Sequence, residues 1–326
     1  MNGAEPVNAP AETSPSRAWV GITFALLSAI ALSWKAIFAK LAYRAGVDAT
    51  TVLGLRMAFS LPAFLWLAWL GARRQPLALS RRDWIAVATL GLVGYYVASY
   101  LDFIGLTRIS AGLERLILFL YPSIVVVLAA TLARRRIAAR EWQAMLLGYG
   151  GIAFVFAGDA SRSPHGSAAW IGVGFVFASS IAYAAYLVFA ERFMIRLGSI
   201  RFTGLAMSFA CLFGLLQLVI VSVAQARTAP PLDAVLICAL MAYVSTVVPT
   251  LLLSEAVRRI GSGRAALYGM VGPVATVGLE VVLLGEHAGW QDAVGTALVI
   301  GSVVLLTRKR ALPVEAEVSS ALPPAR

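Results

Sequence analysis

Charge is scarce in this sequence. Only 13% of its 326 residues are Asp, Glu, Lys or Arg, while 60% are hydrophobic. A soluble domain carries about 25% charged residues, so a soluble globular chain is excluded. Histidine and cysteine are scarcer still, with two of each. Cys211 and Cys238 lie inside apolar runs and read as small buried hydrophobes. They offer neither a disulfide framework nor a CxxC zinc site. His165 and His287 lie far apart in short polar breaks. No HExxH, GxSxG or GxxxxGKS stretch occurs. No cofactor and no metal are therefore expected, and neither is direct ATP drive by this chain. Lysine is nearly absent: of 27 basic residues only Lys35, Lys40 and Lys309 are lysines. That bias points to a GC-rich bacterial genome, and with it to a bacterial cytoplasmic (inner) membrane.

The net charge is +11. In a soluble protein that excess raises nucleic acid as a partner. No basic stretch interleaved with aromatics occurs here, so nucleic acid is set aside. Basic residues also collect in the cytoplasmic loops of membrane proteins, and that reading fits their placement.

Long apolar runs are what the chain does have. A spanning helix needs about 20 apolar residues. Ten segments qualify, near 18–41, 51–70, 84–105, 112–133, 141–158, 168–190, 202–224, 234–254, 264–285 and 289–307. The expected fold class is all-α integral membrane with ten transmembrane helices, in contact with the lipid bilayer. Residues 1–17 and 311–326 read as disordered cytoplasmic tails. Basic residues crowd the even breaks: Arg73, Arg74, Arg81 and Arg82; Arg134, Arg135, Arg136 and Arg140; Arg192, Arg196 and Arg201; Arg258, Arg259 and Arg264. Odd breaks hold one each or none. Even breaks and both termini are therefore expected in the cytoplasm.

A shift of 151 residues lays the sequence on itself. Trp19, Gly21 and Phe24 fall on Trp170, Gly172 and Phe175. Arg108-Ile109 falls on Arg259-Ile260, and Gly112, Leu116 and Pro122 fall on Gly263, Leu267 and Pro273. Each half, 18–158 and 168–307, would hold five helices. Five is odd, so the second half must enter the membrane upside down. Inverted repeats exchange two mirror arrangements, one open to each side, with substrate near the repeat interface.

Three stretches carry a family resemblance. They are Gly105-Leu-Thr-Arg-Ile-Ser-Ala-Gly112 running into Pro122, Ala256-Val-Arg-Arg-Ile-Gly-Ser-Gly263 running into Pro273, and Leu283-Leu-Gly-Glu286. Together with the duplication they resemble the drug/metabolite transporter superfamily, specifically its EamA type, over about 18–307. The resemblance implies an alternating-access carrier for small polar metabolites or amino acids, with a central cavity and peripheral fifth and tenth helices. The first half departs from the pattern, since Arg134-Arg-Arg136 stands where the second half has Gly285-Glu286.

Ionisable groups inside a bilayer are costly and mark function by default. Lys35, Arg56, Asp102, Glu114, Arg115 and Glu280 are expected in the same outer half of the membrane. Such a cluster pairs internally, binds a zwitterion, or carries a proton. Asp102 has a rival partner in Arg108, and Arg56 and Arg115 have a rival role in snorkelling to headgroups. Glu114 and Arg115 point about 100° apart on a helix, and Glu114 is the one expected to face the interior. Pro122 and Pro273 are expected to bend their helices at the cavity. Trp34, Tyr95, Tyr100, Tyr121, Tyr186, Tyr243 and Tyr268 are aromatic candidates for its lining. Small residues every four positions, Gly21-Ala25-Ala29-Ser33 and Gly174-Ala178-Ala182, would allow close helix crossings.

The expectation is thus a secondary-active transporter for a small polar metabolite, amino-acid-like compound or drug. Export coupled to protons at Glu114 or Glu280 is the variant considered. The rivals are an intramembrane enzyme and a signalling or structural membrane protein.

Overall fold

The computed structural model describes residues 15–134, 136–162, 168–226, 229–260, 265, 268–269, 271–285 and 289–307. Among the described residues every regular element is helical. An apolar chain in lipid must satisfy its backbone within each segment, and a helix does so. In order the elements are α1 (Pro15–Arg44), α2 (Ala49–Arg74), α3 (Arg81–Leu106), α4 (Ala111–Leu132) and α5 (Ala139–Arg162). They continue with α6 (Ala168–Leu197), α7 (Ser199–Ala224), α8 (Leu232–Ala242 continuing to Ile260), α9 (Val271–Leu284) and α10 (Trp290–Thr307). Among the described residues seven helices are long and apolar enough to cross a membrane: α1–α4 and α6–α8. Helix α1 begins at Pro15, inside the stretch 1–17 expected as tail. Glu286, both histidines, residues 1–14 and residues 308–326 lie outside the described residues.

Polar residues at the turns set the helix starts. Asp48 caps α2 by accepting from the Thr51 N–H at 3.1 Å. Ser110 caps α4 by accepting from the Leu113 N–H at 3.1 Å. Each satisfies an N–H that the first helical turn leaves open.

The two halves interleave. Helix α2 packs along α7, and α5 along α10. The last segment of α8 packs on α1, and the last part of α3 packs on α6. The first half of α4 meets α9. Exchanging α1 with α6, α2 with α7, and so on turns each of these contacts into itself or its mate. The other substantial packing of α5 and α10 is to α4 and α9.

The repeat is visible at single residues. A Cβ on Gly21 would stand 2.6 Å from Ile260 Cγ2 and 2.9 Å from Arg259 Cβ. A Cβ on Gly172 would stand 2.9 Å from both Ile109 Cγ2 and Arg108 Cβ. The duplicated motifs are therefore the two sides of one crossing, made twice. A π-helical turn at Leu92–Val97 in α3 recurs at Tyr243–Val247 in α8, starting 151 residues on. Just past the end of α4 stands Arg134 at φ 50°, and just past α9 stands Gly285 at φ 67°, the matching position. Glycine takes that left-handed conformation without strain, whereas arginine does not.

Two expectations change. The small-residue stripe on α6 is not Gly174-Ala178-Ala182, because Gly174 is exposed with nothing near its Cβ position. The buried stripe is Gly172, Val176 and Ser180, two residues earlier. On α1 the expected stripe holds, with Ala25, Ala29 and Ser33 buried. The interruption of α4 lies at Phe119–Leu120, where Leu118 ends one half and Tyr121 begins the next. Pro122 stands in the first turn of that second half. There its missing N–H costs nothing, since first-turn donors have no intrahelical partner. Pro273 is the third residue of Val271–Leu279 in α9.

Candidate functional site

Three helices bring three charges together in the interior. Lys35 Nζ of α1 lies 2.5 Å from Asp102 Oδ2 of α3 and 2.9 Å from Glu114 Oε1 of α4. Asp102 is 3% exposed and Glu114 is fully buried. One cation thus serves two carboxylates. Asp102 Oδ1 and both Glu114 oxygens lack an aligned hydrogen-bond donor, so the Glu114 contact is a charge contact. Arg56 of α2 is buried beside them, and Asp102 is among its electrostatic neighbours. Its Nη2 donates to Ser99 Oγ at 3.0 Å, and its guanidinium stands 5.0 Å from the Phe103 ring centroid. It does not snorkel. Arg108 does not take Asp102 either; its Nη1 donates to the Ile104 carbonyl.

Glu280 is near the cluster in depth but has a separate task. Its carboxylate accepts from the Ala111 N–H at 2.5 Å and the Gly112 N–H at 2.8 Å. A negative charge at a helix N-terminus is favourable, so α9 holds the start of α4. Gly112 makes room for this, since a Cβ there would stand 2.8 Å from Glu280 Oε2. Two further ties close the same end. Arg44 Nη2 donates to the Leu284 carbonyl at 2.8 Å, and Tyr43 Oη donates to the Phe103 carbonyl at 2.9 Å.

The aromatic candidates divide. Tyr121 meets Tyr183 edge-on at 5.4 Å between centroids. Tyr183 lies over Tyr186 at 5.9 Å, and the Tyr186 and Tyr95 hydroxyls are 3.1 Å apart. Arg115 lies between this group and the ions, with Glu114, Asp102, Tyr121 and Tyr183 as electrostatic neighbours. Its guanidinium lies against Gly272 of α9, 5.2 Å from the Phe119 centroid. Tyr100 stacks on Tyr96, and Trp34 packs on Phe38. Tyr268 is elsewhere, beside Ile22, Phe24 and Ala25. Ala25 and Lys35 are about 15 Å apart along α1 at helical rise. Tyr243 is 47% exposed and faces outward.

Tyr183, Ser99 and Phe103 escaped the sequence reading. Tyr183 is three residues before Tyr186, and Ser99 three before Asp102. That spacing puts each on the face already singled out. Among the described residues no group of three or more His, Cys, Asp or Glu is placed to hold a metal ion.

Interleaved apolar helices around buried charge define a multi-pass membrane protein. Residues 19–157 and 170–308 each match the EamA-like transporter family. The chain belongs to that family, within the drug/metabolite transporter superfamily. It is 31% identical over 279 residues to the uncharacterized transporter YcbK of Bacillus subtilis, covering 84% of this chain and 88% of that one. It is 24% identical to the uncharacterized inner membrane transporter YicL of Salmonella typhimurium, over 71% of this chain and 77% of that one. A solved crystal structure superposes with a TM-score of 0.56 at 18% identity, covering 91% of this chain and 99% of that one. That likeness shows the fold alone.

Proposed function

We propose that the chain is a secondary-active carrier that works by alternating access. It crosses the membrane ten times, as two inverted five-helix repeats at 18–158 and 168–307, with both termini in the cytoplasm. The repeats exchange roles, so one end opens as the other shuts. Its cargo is a small polar or amino-acid-like metabolite or drug. The membrane is the bacterial inner membrane, in keeping with relatives from bacteria.

The observation that carries this reading is the Lys35–Asp102–Glu114 cluster, buried where three helices meet. A structural protein gains little from it, because well-packed apolar residues are often as stable as a buried ion pair. A carrier gains a group whose charge changes with cargo or proton. Glu114 is the proton site, since its oxygens have no aligned donors. Glu280 is instead the tie that shuts the end near Lys35, through two backbone N–H groups.

The test is counterflow in proteoliposomes against pooled labelled amino acids and metabolites, with Glu114→Gln alongside. Wild type should accumulate label against an unlabelled internal pool, and Glu114→Gln should lose the pH dependence. Absence of counterflow from every pool would remove the carrier reading. Chemical turnover without vectorial movement would favour an enzyme instead.

A further inference from the structure

We infer that Arg115 is the anchor for a carboxylate on the cargo, so that the substrate class is small monocarboxylates, amino acids included. This rests on the carrier reading and narrows it.

The inference starts from what Arg115 lacks. A guanidinium has five N–H donors and no acceptor. Among the described residues Arg115 makes no hydrogen bond and no ion pair, and its Nε is buried without a partner. Its neighbours are the Phe119 ring, the Gly272 backbone, and at longer range Glu114, Asp102, Tyr121 and Tyr183. The backbone acceptor beside it is already in use. The Gly272 carbonyl accepts from Ser33 Oγ at 2.9 Å and from Thr276 Oγ1 at 3.0 Å. Glu114 and Asp102 are held by Lys35.

The other interior cations differ. Lys35 has two carboxylates, and Arg56 has the Ser99 hydroxyl and a ring face. Arg115 alone of these three has only ring and backbone surface against it. Part of Arg115 remains accessible, while Glu114 and Leu116 beside it are buried. It lies against α9 and near Tyr183 of α6, between the repeats. A charge facing hydrocarbon would be costly, and the contact with Gly272 of α9 turns the guanidinium toward the second repeat. A guanidinium fork pairs with a carboxylate through two parallel bonds. The charge count selects a monoanion, because Lys35, Arg56 and Arg115 face only the two carboxylates of Asp102 and Glu114, which leaves one positive charge over. The rings of Phe119, Tyr121 and Tyr183 give the cargo an apolar flank.

The experiment is ligand-induced thermal stabilisation of the purified full chain in detergent. The probes are the standard L-amino acids, the monocarboxylates from acetate to hexanoate, their methyl esters, and glycerol phosphate. At least one acid should stabilise wild type while its ester does not. Arg115→Gln should weaken that acid by about tenfold or more, and Arg115→Lys less, because lysine lacks the fork. Gly272→Ala is a second probe that keeps the charge. Its Cβ would stand 2.8 Å from Nη2, so the fork must shift and acid affinity should fall.

Esters binding as well as acids would overturn the assignment. So would no acid binding at all, stronger binding of glycerol phosphate, or unchanged acid affinity in both Arg115→Gln and Gly272→Ala. Failure of the carrier reading looks different. Acid binding without counterflow keeps Arg115 and removes the carrier. Counterflow of amines or esters only keeps the carrier and removes the carboxylate.

Discussion

The two repeats share a backbone and differ in charge. Both make the same glycine crossing, at Gly21 and at Gly172. Both carry a π-helical turn in the same register of their third helix. Yet a shift of 151 residues takes Lys35 to Tyr186, Asp102 to Leu253 and Glu114 to Ala265. It takes Glu280 back to Ala129, and Arg44 to Ile195. Under the proposed alternating access, symmetry in packing supplies the two related arrangements. Asymmetry in charge decides which end is tied and where a polar cargo would bind. The ion cluster is therefore an addition to one repeat, beyond what the fold requires.

Substitutions at matched positions sharpen that comparison. The largest effect is expected at Lys35. Lys35→Ala removes the cation paired with two buried carboxylates, at a cost of about 3–5 kcal/mol. Its counterpart Tyr186→Phe loses one hydroxyl contact, about 1 kcal/mol. Thermal unfolding in detergent should separate the two clearly; equal effects would mean that the cluster is not special.

Next come the crossings. Gly21→Leu and Gly172→Leu should each cost about 1–3 kcal/mol by overpacking, and by similar amounts. Gly174→Leu should be near neutral, as its Cβ meets nothing. A damaging Gly174→Leu, by monodispersity on size exclusion, would break the symmetric reading of the crossing.

A smaller effect is expected at Glu280. Glu280→Gln keeps an acceptor but removes the charge from the α4 N-terminus, worth about 0.3–1 kcal/mol. Faster amide exchange at Ala111 and Gly112 should report it. The smallest effect is at Pro122. Because it occupies a first-turn position, Pro122→Ala should stay within about 0.5 kcal/mol and leave the break at Phe119–Leu120 in place.

Much of this architecture is legible in residue order. Apolar runs locate the helices, and the shift of 151 pairs the motifs that touch. The same shift pointed to Gly172 as the mate of Gly21, whereas spacing alone on α6 suggested Gly174. Spacing within one helix does not say which face meets a partner, and a repeat does. The convergence of Lys35, Asp102 and Glu114 was legible because buried charges need partners. Which partners they take was not. Glu280 looks like a member of the same cluster until the start of α4 is seen beside it. Tyr268 could not be separated from Tyr186 without the depth of each along its helix. The break of α4 was read as a consequence of Pro122, but a proline suits the start of a segment as well as a bend.

The most direct measurement is of distances across both ends in nanodiscs. Spin-label pairs would be placed at Thr107 and Leu283 near the ion cluster, and at Leu132 and Ile195 at the opposite end. Wild type and Glu280→Ala would be compared by pulsed dipolar spectroscopy. Alternating access predicts reciprocal change: Glu280→Ala lengthens the first distance and shortens the second. Two distances that move together, or neither moving, would contradict it.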